Sequence, residues 1–188
     1  AYLFDTILGS QTYKLLANDL APFDQYAGDE FGFGVAVTGN RALVSAPFDD
    51  EYGADAGAVY AFDLHPVTGA PTQTQKFVAT DITGGEQLGY SLAISGDTAV
   101  VGALTAVGFG GAVGVGAAYV YQHDGSLWQF DKKLTIDDPN SLQDGDMFGW
   151  SVDLDGTTAI VGGRDEFGNA GTAYLFDTGT GLQLEKLS

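Results

Sequence analysis

A single octapeptide, written three times at nearly even intervals, constrains this chain more than any other feature. Gly28-Asp29-Glu30-Phe31-Gly32-Phe33-Gly34-Val35 returns as Gly85-Glu86-Gln87-Leu88-Gly89-Tyr90-Ser91-Leu92. It returns again as Gly145-Asp146-Met147-Phe148-Gly149-Trp150-Ser151-Val152, at steps of 57 and 60 residues. A second phrase, Ala-Tyr-Leu-Phe-Asp-Thr at 1–6, recurs unchanged at 173–178, with looser copies at 58–63 and 117–122. Periods of this length mark stacked units, none of which can bury its apolar faces alone.

Within each unit the patterning has period 2, the signature of short strands. In the runs 31–38, 88–95 and 148–155 the bulky side chains alternate with small ones: Phe31, Phe33, Val35 and Val37 against Gly32, Gly34 and Ala36 in the first copy. Strict alternation places the large residues on one face, where they would meet the small face of a neighbouring sheet. Tight turns follow at Thr38-Gly39-Asn40, Ser95-Gly96-Asp97 and Asp155-Gly156-Thr157, with glycine supplying positive φ. A second run (42–46, 99–103, 159–163) is apolar throughout and reads as buried. The third carries the tyrosine phrase. The fourth (12–17, 74–79, 130–135, 182–187) holds all the lysines, Lys14, Lys76, Lys132, Lys133 and Lys186. A charged outer strand discourages edge-to-edge pairing, so the expected order is two buried strands, a third, then a lysine-bearing edge.

Four-stranded antiparallel units at this interval predict an all-β fold of propeller blades. Phe31-Gly32, then Val44-Ser45-Ala46-Pro47, then Gly57-Ala58-Val59-Tyr60 resembles the FG-GAP repeat of integrin α-chain propellers and their bacterial relatives. Leu88-Gly89 with Val101-Gly102-Ala103-Leu104, and Phe148-Gly149 with Val161-Gly162-Gly163-Arg164, carry the same resemblance across nearly the whole chain. The expected division is a half blade at 1–17 (third and fourth strands), then full blades at 18–80, 81–135 and 136–188. Three and a half blades do not close a ring, which implies either part of a longer repeat array or self-association. Exchange of 1–6 for 173–178 between molecules is one route to a homo-oligomer. The absence of an initiator methionine or leader at Ala1 is read as a processed or excised piece.

Composition narrows the partners. The net charge of −18 opposes binding to nucleic acid or an anionic membrane surface. No apolar run approaches the length that spans a bilayer, so no membrane insertion is expected. Without cysteine there is neither a disulfide nor a thiolate metal site. Cations and cationic partners remain, as does solubility in salt.

The loops joining fourth to first strands and second to third strands hold 16 of the 25 acidic residues, and a propeller places both loop sets at one end. Asp49, Asp50, Glu51 and Asp55, with Asp165 and Glu166, form the candidate interaction face. A solvated loop surface accounts for the same clustering. Integrin-type repeats often carry an Asp-x-Asp-x-Asp-Gly calcium loop between first and second strands. Here those turns are too short, so the repeat resembles the bacterial type that lacks it. The residual calcium candidate is Asp137, Asp138, Asn140, Asp144 and Asp146, with the carbonyls of Gln143 and Gly145 nearby.

Catalytic motifs are not expected. His65 and His123 sit in equivalent turns at the opposite end, and Ser91 and Ser151 are small residues on a packing face. Neither a phosphate loop nor an HExxH pair occurs. The glycine-rich stretch 108–116 precedes a strand and reads as an insertion. Phe33, Tyr90 and Trp150 could stack a sugar, but their equivalence makes them expected inter-blade core. The resemblance implies a non-enzymatic extracellular or cell-surface binding or adhesion module for a protein or carbohydrate ligand. Two alternatives are a self-assembling filament or surface-layer subunit, and an accessory domain of a larger secreted hydrolase.

Overall fold

The computed structural model describes residues 1–18, 28–106, 114–134, 136, 146–164 and 171–187. Fourteen strands and no helix occur among them. Strands β1 (Tyr2–Phe4) and β2 (Gln11–Lys14) form a two-stranded sheet. Three four-stranded antiparallel sheets follow, each in plain sequence order. The first is β3 (Val35–Thr38), β4 (Arg41–Ala46), β5 (Ala58–Leu64) and β6 (Pro71–Phe77). The second is β7 (Leu88–Ser95), β8 (Thr98–Ala103), β9 (Ala117–His123) and β10 (Trp128–Leu134). The third is β11 (Phe148–Asp155), β12 (Thr158–Gly163), β13 (Thr172–Asp177) and β14 (Gln183–Leu187).

The expected meander and its outer lysine strand are therefore present, and the sheets stack as blades. One apolar cluster joins the first sheet to the second through Leu43, Val59, Leu88, Val101 and Tyr119, with Leu92 and Ile94 packed against it. The next joins second to third through Val100, Val120, Phe148, Leu154 and Phe176. A third joins the two-stranded sheet to the first blade through Leu15, Val44 and Tyr60. No sheet buries both faces without a neighbour, as the repeat length implies.

Two expectations change. The first strand of blade 1 begins at Val35 rather than Phe31, and the alternation of the first strands is broken. Phe148 pairs with Gly163 but Ser151 pairs with Gly162, and Leu88 and Ser91 behave likewise against Ala103 and Gly102. Gly89-Tyr90 and Gly149-Trp150 are thus extra residues in a bulge, which bends the strand and re-aims the aromatic ring. Leu88 and Phe148 stay in the core, whereas Phe33 is 45% exposed and Tyr90 and Trp150 are only partly buried. These three rings are not inter-blade core. They touch one another across blades, at 5.0 Å for Phe33–Tyr90 and 5.0 Å for Tyr90–Trp150.

Candidate functional site

Glycine and backbone hydrogen bonds build one end of the stack. The Leu88 amide donates to Ala56 O (3.0 Å), the Gln87 amide to Asp55 O (3.0 Å) and the Phe148 amide to Val115 O (2.7 Å). Each bond locks the second-to-third loop of one blade onto the entry of the next blade's first strand. Isolated parallel bridges, Gly57 to Leu88 and Gly116 to Phe148, complete the lock. Just ahead of the strands, Glu30, Gln87 and Met147 share φ values of 55°, 56° and 54°. Left-handed non-glycine residues are uncommon, and the three belong to one repeated turn, in which the Phe33, Tyr90 and Trp150 amides donate to Glu30 O (3.0 Å), Gln87 O (3.2 Å) and Met147 O (3.0 Å). The acidic loop at 49–57 and the loop at 81–87 therefore emerge together. The short hairpins lie at the other end, where the His123 amide donates to Asp97 O (2.8 Å) and the Leu64 amide to Asn40 O (2.7 Å). His65 and His123 occupy turns there, their Nδ1 atoms accepting local backbone N–H groups.

The carboxylates divide into two kinds. Asp49 is buried, accepting the Tyr60 hydroxyl (2.8 Å) and pairing with Lys76 Nζ (2.8 Å). Glu51 reaches the same ammonium at 2.6 Å but stays half exposed. Asp50 accepts the Asp55 amide at 2.7 Å, and Asp55 itself is exposed with φ 52°. Asp49 is thus committed to the fold, Glu51 shares its charge with Lys76 while half exposed, and Asp55 presents its charge to solvent. Asp146 is buried. Asp137, Asp138, Asn140 and Asp144 of the calcium candidate, and Asp165 and Glu166 of the interaction face, lie outside the described residues. No group of three or more metal-ligating side chains occurs among the described residues.

Glu86 shows why acids are needed here structurally. Its carboxylate is buried and accepts the Thr83 amide (2.8 Å), the Thr83 hydroxyl (2.8 Å) and the Gly84 amide (2.6 Å). Burial pushes its pKa up, but these bonds outweigh burial and hold it below the ordinary value. A depressed folded pKa adds stability that is present above the unfolded value and is lost as pH falls through the folded one. Glu86→Gln should lower the melting temperature at pH 7 and change it far less near pH 3, by parallel thermal melts. An equal loss at both pH values would show that charge is not the cause.

The outer lysines do more than guard an edge. In every sheet a strand-3 tyrosine lies directly opposite a strand-4 lysine: Tyr2 and Lys14, Tyr60 and Lys76, Tyr119 and Lys133, Tyr174 and Lys186. Each ammonium sits over its ring, at 5.8, 5.2, 5.0 and 5.3 Å from the centroid. Such pairs contribute cation–π attraction and cover ring surface with the lysine stem. Lys133 also reaches Asp81 at 2.9 Å. Burial raises the Asp81 pKa, but hydrogen bonds from Lys133 and Tyr119 more than offset it, and the net shift is downward. The signal for this motif was already in the sequence, as a tyrosine and a lysine co-occurring in all four copies.

A row of aromatic rings crosses the blades near the acidic loops. Phe48 meets Phe33 edge-on at 6.4 Å, Phe33 and Tyr90 continue to Trp150, and the Arg164 guanidinium caps Trp150 at 4.6 Å. The bulges that eject Tyr90 and Trp150 produce it, and alternation alone could not reveal it.

Repeated four-stranded blades, interlocked through glycine at one end, define a repeat protein of the β-propeller type. The FG-GAP repeat model matches residues 10–62, 71–121 and 128–176, which is most of the chain. The chain belongs to the FG-GAP repeat family. Each matched segment runs from a fourth strand through the next blade's third, so the repeat and the blade are out of phase by one strand. No curated protein matches the chain.

Proposed function

We propose that this chain is a non-enzymatic binding module working outside the cytoplasm, with its acidic loop end as the contact surface for a cationic protein segment. FG-GAP repeat modules are often extracellular, which supports the location. The observation that carries the reading is the second-to-third loop of blade 1. Its backbone is fastened to the next blade by the bonds at Ala54, Asp55 and Ala56, while Asp55 and the outer half of the Lys76-paired Glu51 remain in solvent. A pre-ordered loop loses little entropy on binding, and exposed charge of one sign steers an oppositely charged partner.

The test compares two variants of equal charge change. Glu51→Lys with Asp55→Lys alters the loop end, and Asp63→Lys with Asp155→Lys alters exposed sites at the hairpin end. With a lysine-rich peptide as probe in physiological salt, the first pair should weaken binding at least tenfold and the second should leave it near wild type. Equal losses would mean that net charge alone attracts the peptide, and the assignment of the surface would fail.

A further inference from the structure

Three equivalent pairs of side chains differ in what covers them. Leu92 and Ile94 of β7 pack against blade 1, and Val152 and Leu154 of β11 pack against blade 2. Val35 and Val37 hold the same positions in β3, yet each is 63% exposed. What covers the first two pairs is the inner half of the preceding blade, its first and second strands. Among the described residues the sheet before blade 1 consists of β1 and β2, which match third and fourth strands. Residues 1–15 equal 173–187 at ten of fifteen positions without a gap, Lys14 falling on Lys186. A groove of about 230 Å³ lies where an inner half would sit, lined by Tyr2, Leu3, Leu15, Val35, Val37 and Val44 among others. Beside it, among the described residues, β1 pairs with β2 and leaves its other backbone edge unpaired.

We propose that this groove is a docking site for one structure, the first-and-second-strand hairpin of an FG-GAP repeat, added to the free edge of β1. Two observations specify the occupant. Its register follows from blade 3, where Gly162, Val161 and Ile160 pair with Ala173, Tyr174 and Leu175. The equivalent partners here are Ala1, Tyr2 and Leu3. Its chemistry follows from blade 2, whose hairpin meets Val152 and Leu154 through Ala93 and Val100. The docked hairpin must therefore offer a small apolar residue at the Ala93 position. The chain's own last blade carries Asp153 there, opposite Ile160 in the ladder, which would set a carboxylate against Val35 and Val37. The groove is thus continuous with the interfaces already formed between blades, and it selects against the β11–β12 hairpin of a second copy. The occupant is an alanine-type FG-GAP hairpin on another stretch of polypeptide.

The probe is a peptide spanning 86–103, the inner hairpin of blade 2, added to the full chain. It should shift the backbone amide signals of Tyr2, Leu3 and Phe4 on binding. Either Ala93→Asp in the peptide or Val35→Asp with Val37→Asp in the chain should weaken binding at least tenfold. Because a free hairpin peptide is poorly ordered, the same segment is also fused ahead of Ala1 by a Gly-Ser linker as long as 164–171. The fusion should raise the melting temperature, and Ala93→Asp within it should cancel the rise. Indifference of both peptide and fusion to Ala93→Asp, or no effect of either, would overturn the proposal. So would self-association of the wild-type chain that Val35→Asp with Val37→Asp abolishes, since a second copy would then occupy the groove.

Discussion

Gly116→Ala should destabilise the protein by about 3 kcal/mol, although it adds one methyl group in the middle of the stack. Two costs combine. Gly116 has φ 84°, where an L residue loses roughly 1–2 kcal/mol. A Cβ there would also overlap the Phe148 carbonyl oxygen and amide nitrogen, backbone atoms of the next blade that cannot rotate away. The parallel bridge to Phe148 and the bond from its amide to Val115 would be forced apart. Gly39→Ala provides the comparison. Its φ is 54° and nothing lies within 4 Å, so only the backbone cost applies, about 1 kcal/mol. Urea unfolding of both variants gives the difference directly. Similar losses would mean that the blades are not locked through this glycine.

Phe148→Ala should cost about 3–5 kcal/mol, whereas Phe33→Ala should cost about 1 kcal/mol or less. The two residues are both aromatic and both belong to the same repeat phrase. Phe148 is 1% exposed and meets Tyr174 at 5.7 Å and Phe176 at 5.9 Å, edge to face. Its removal leaves a cavity between blades 2 and 3 that the surrounding strands cannot close. Phe33 is 45% exposed and contributes mainly its ring contacts with Phe48 and Tyr90. Denaturant midpoints at unchanged slope measure both. Comparable losses would return Phe33 to the core and remove the half-exposed aromatic row.

These contrasts mark where reading the chain stops. The alternation of Val152 and Leu154 with their neighbours announces a stacked strand, and the structure buries Leu154 and packs the partly buried Val152 against blade 2. It does not announce the bulge at Gly149-Trp150, because a two-residue slip leaves composition unchanged while re-aiming the ring. The acidic loops are legible as loops. That Asp49 serves Tyr60 and Lys76 while Asp55 serves solvent is not, since the partners are 11 and 27 residues away. The repeat does predict that a face is left without a neighbour. The exposure of Val35 and Val37 shows how far the face before blade 1 is uncovered.

By itself the chain of amino acids determined the number of blades, the order of strands within them, and the faces that need partners. Those properties depend on local alternation and turn chemistry, which neighbouring residues encode. The tertiary structure decided which carboxylates are consumed by the fold, where the aromatic row lies, and which groove stays open. Those depend on contacts between strands and blades, where a carbonyl oxygen or a lysine about thirty residues distant sets the outcome.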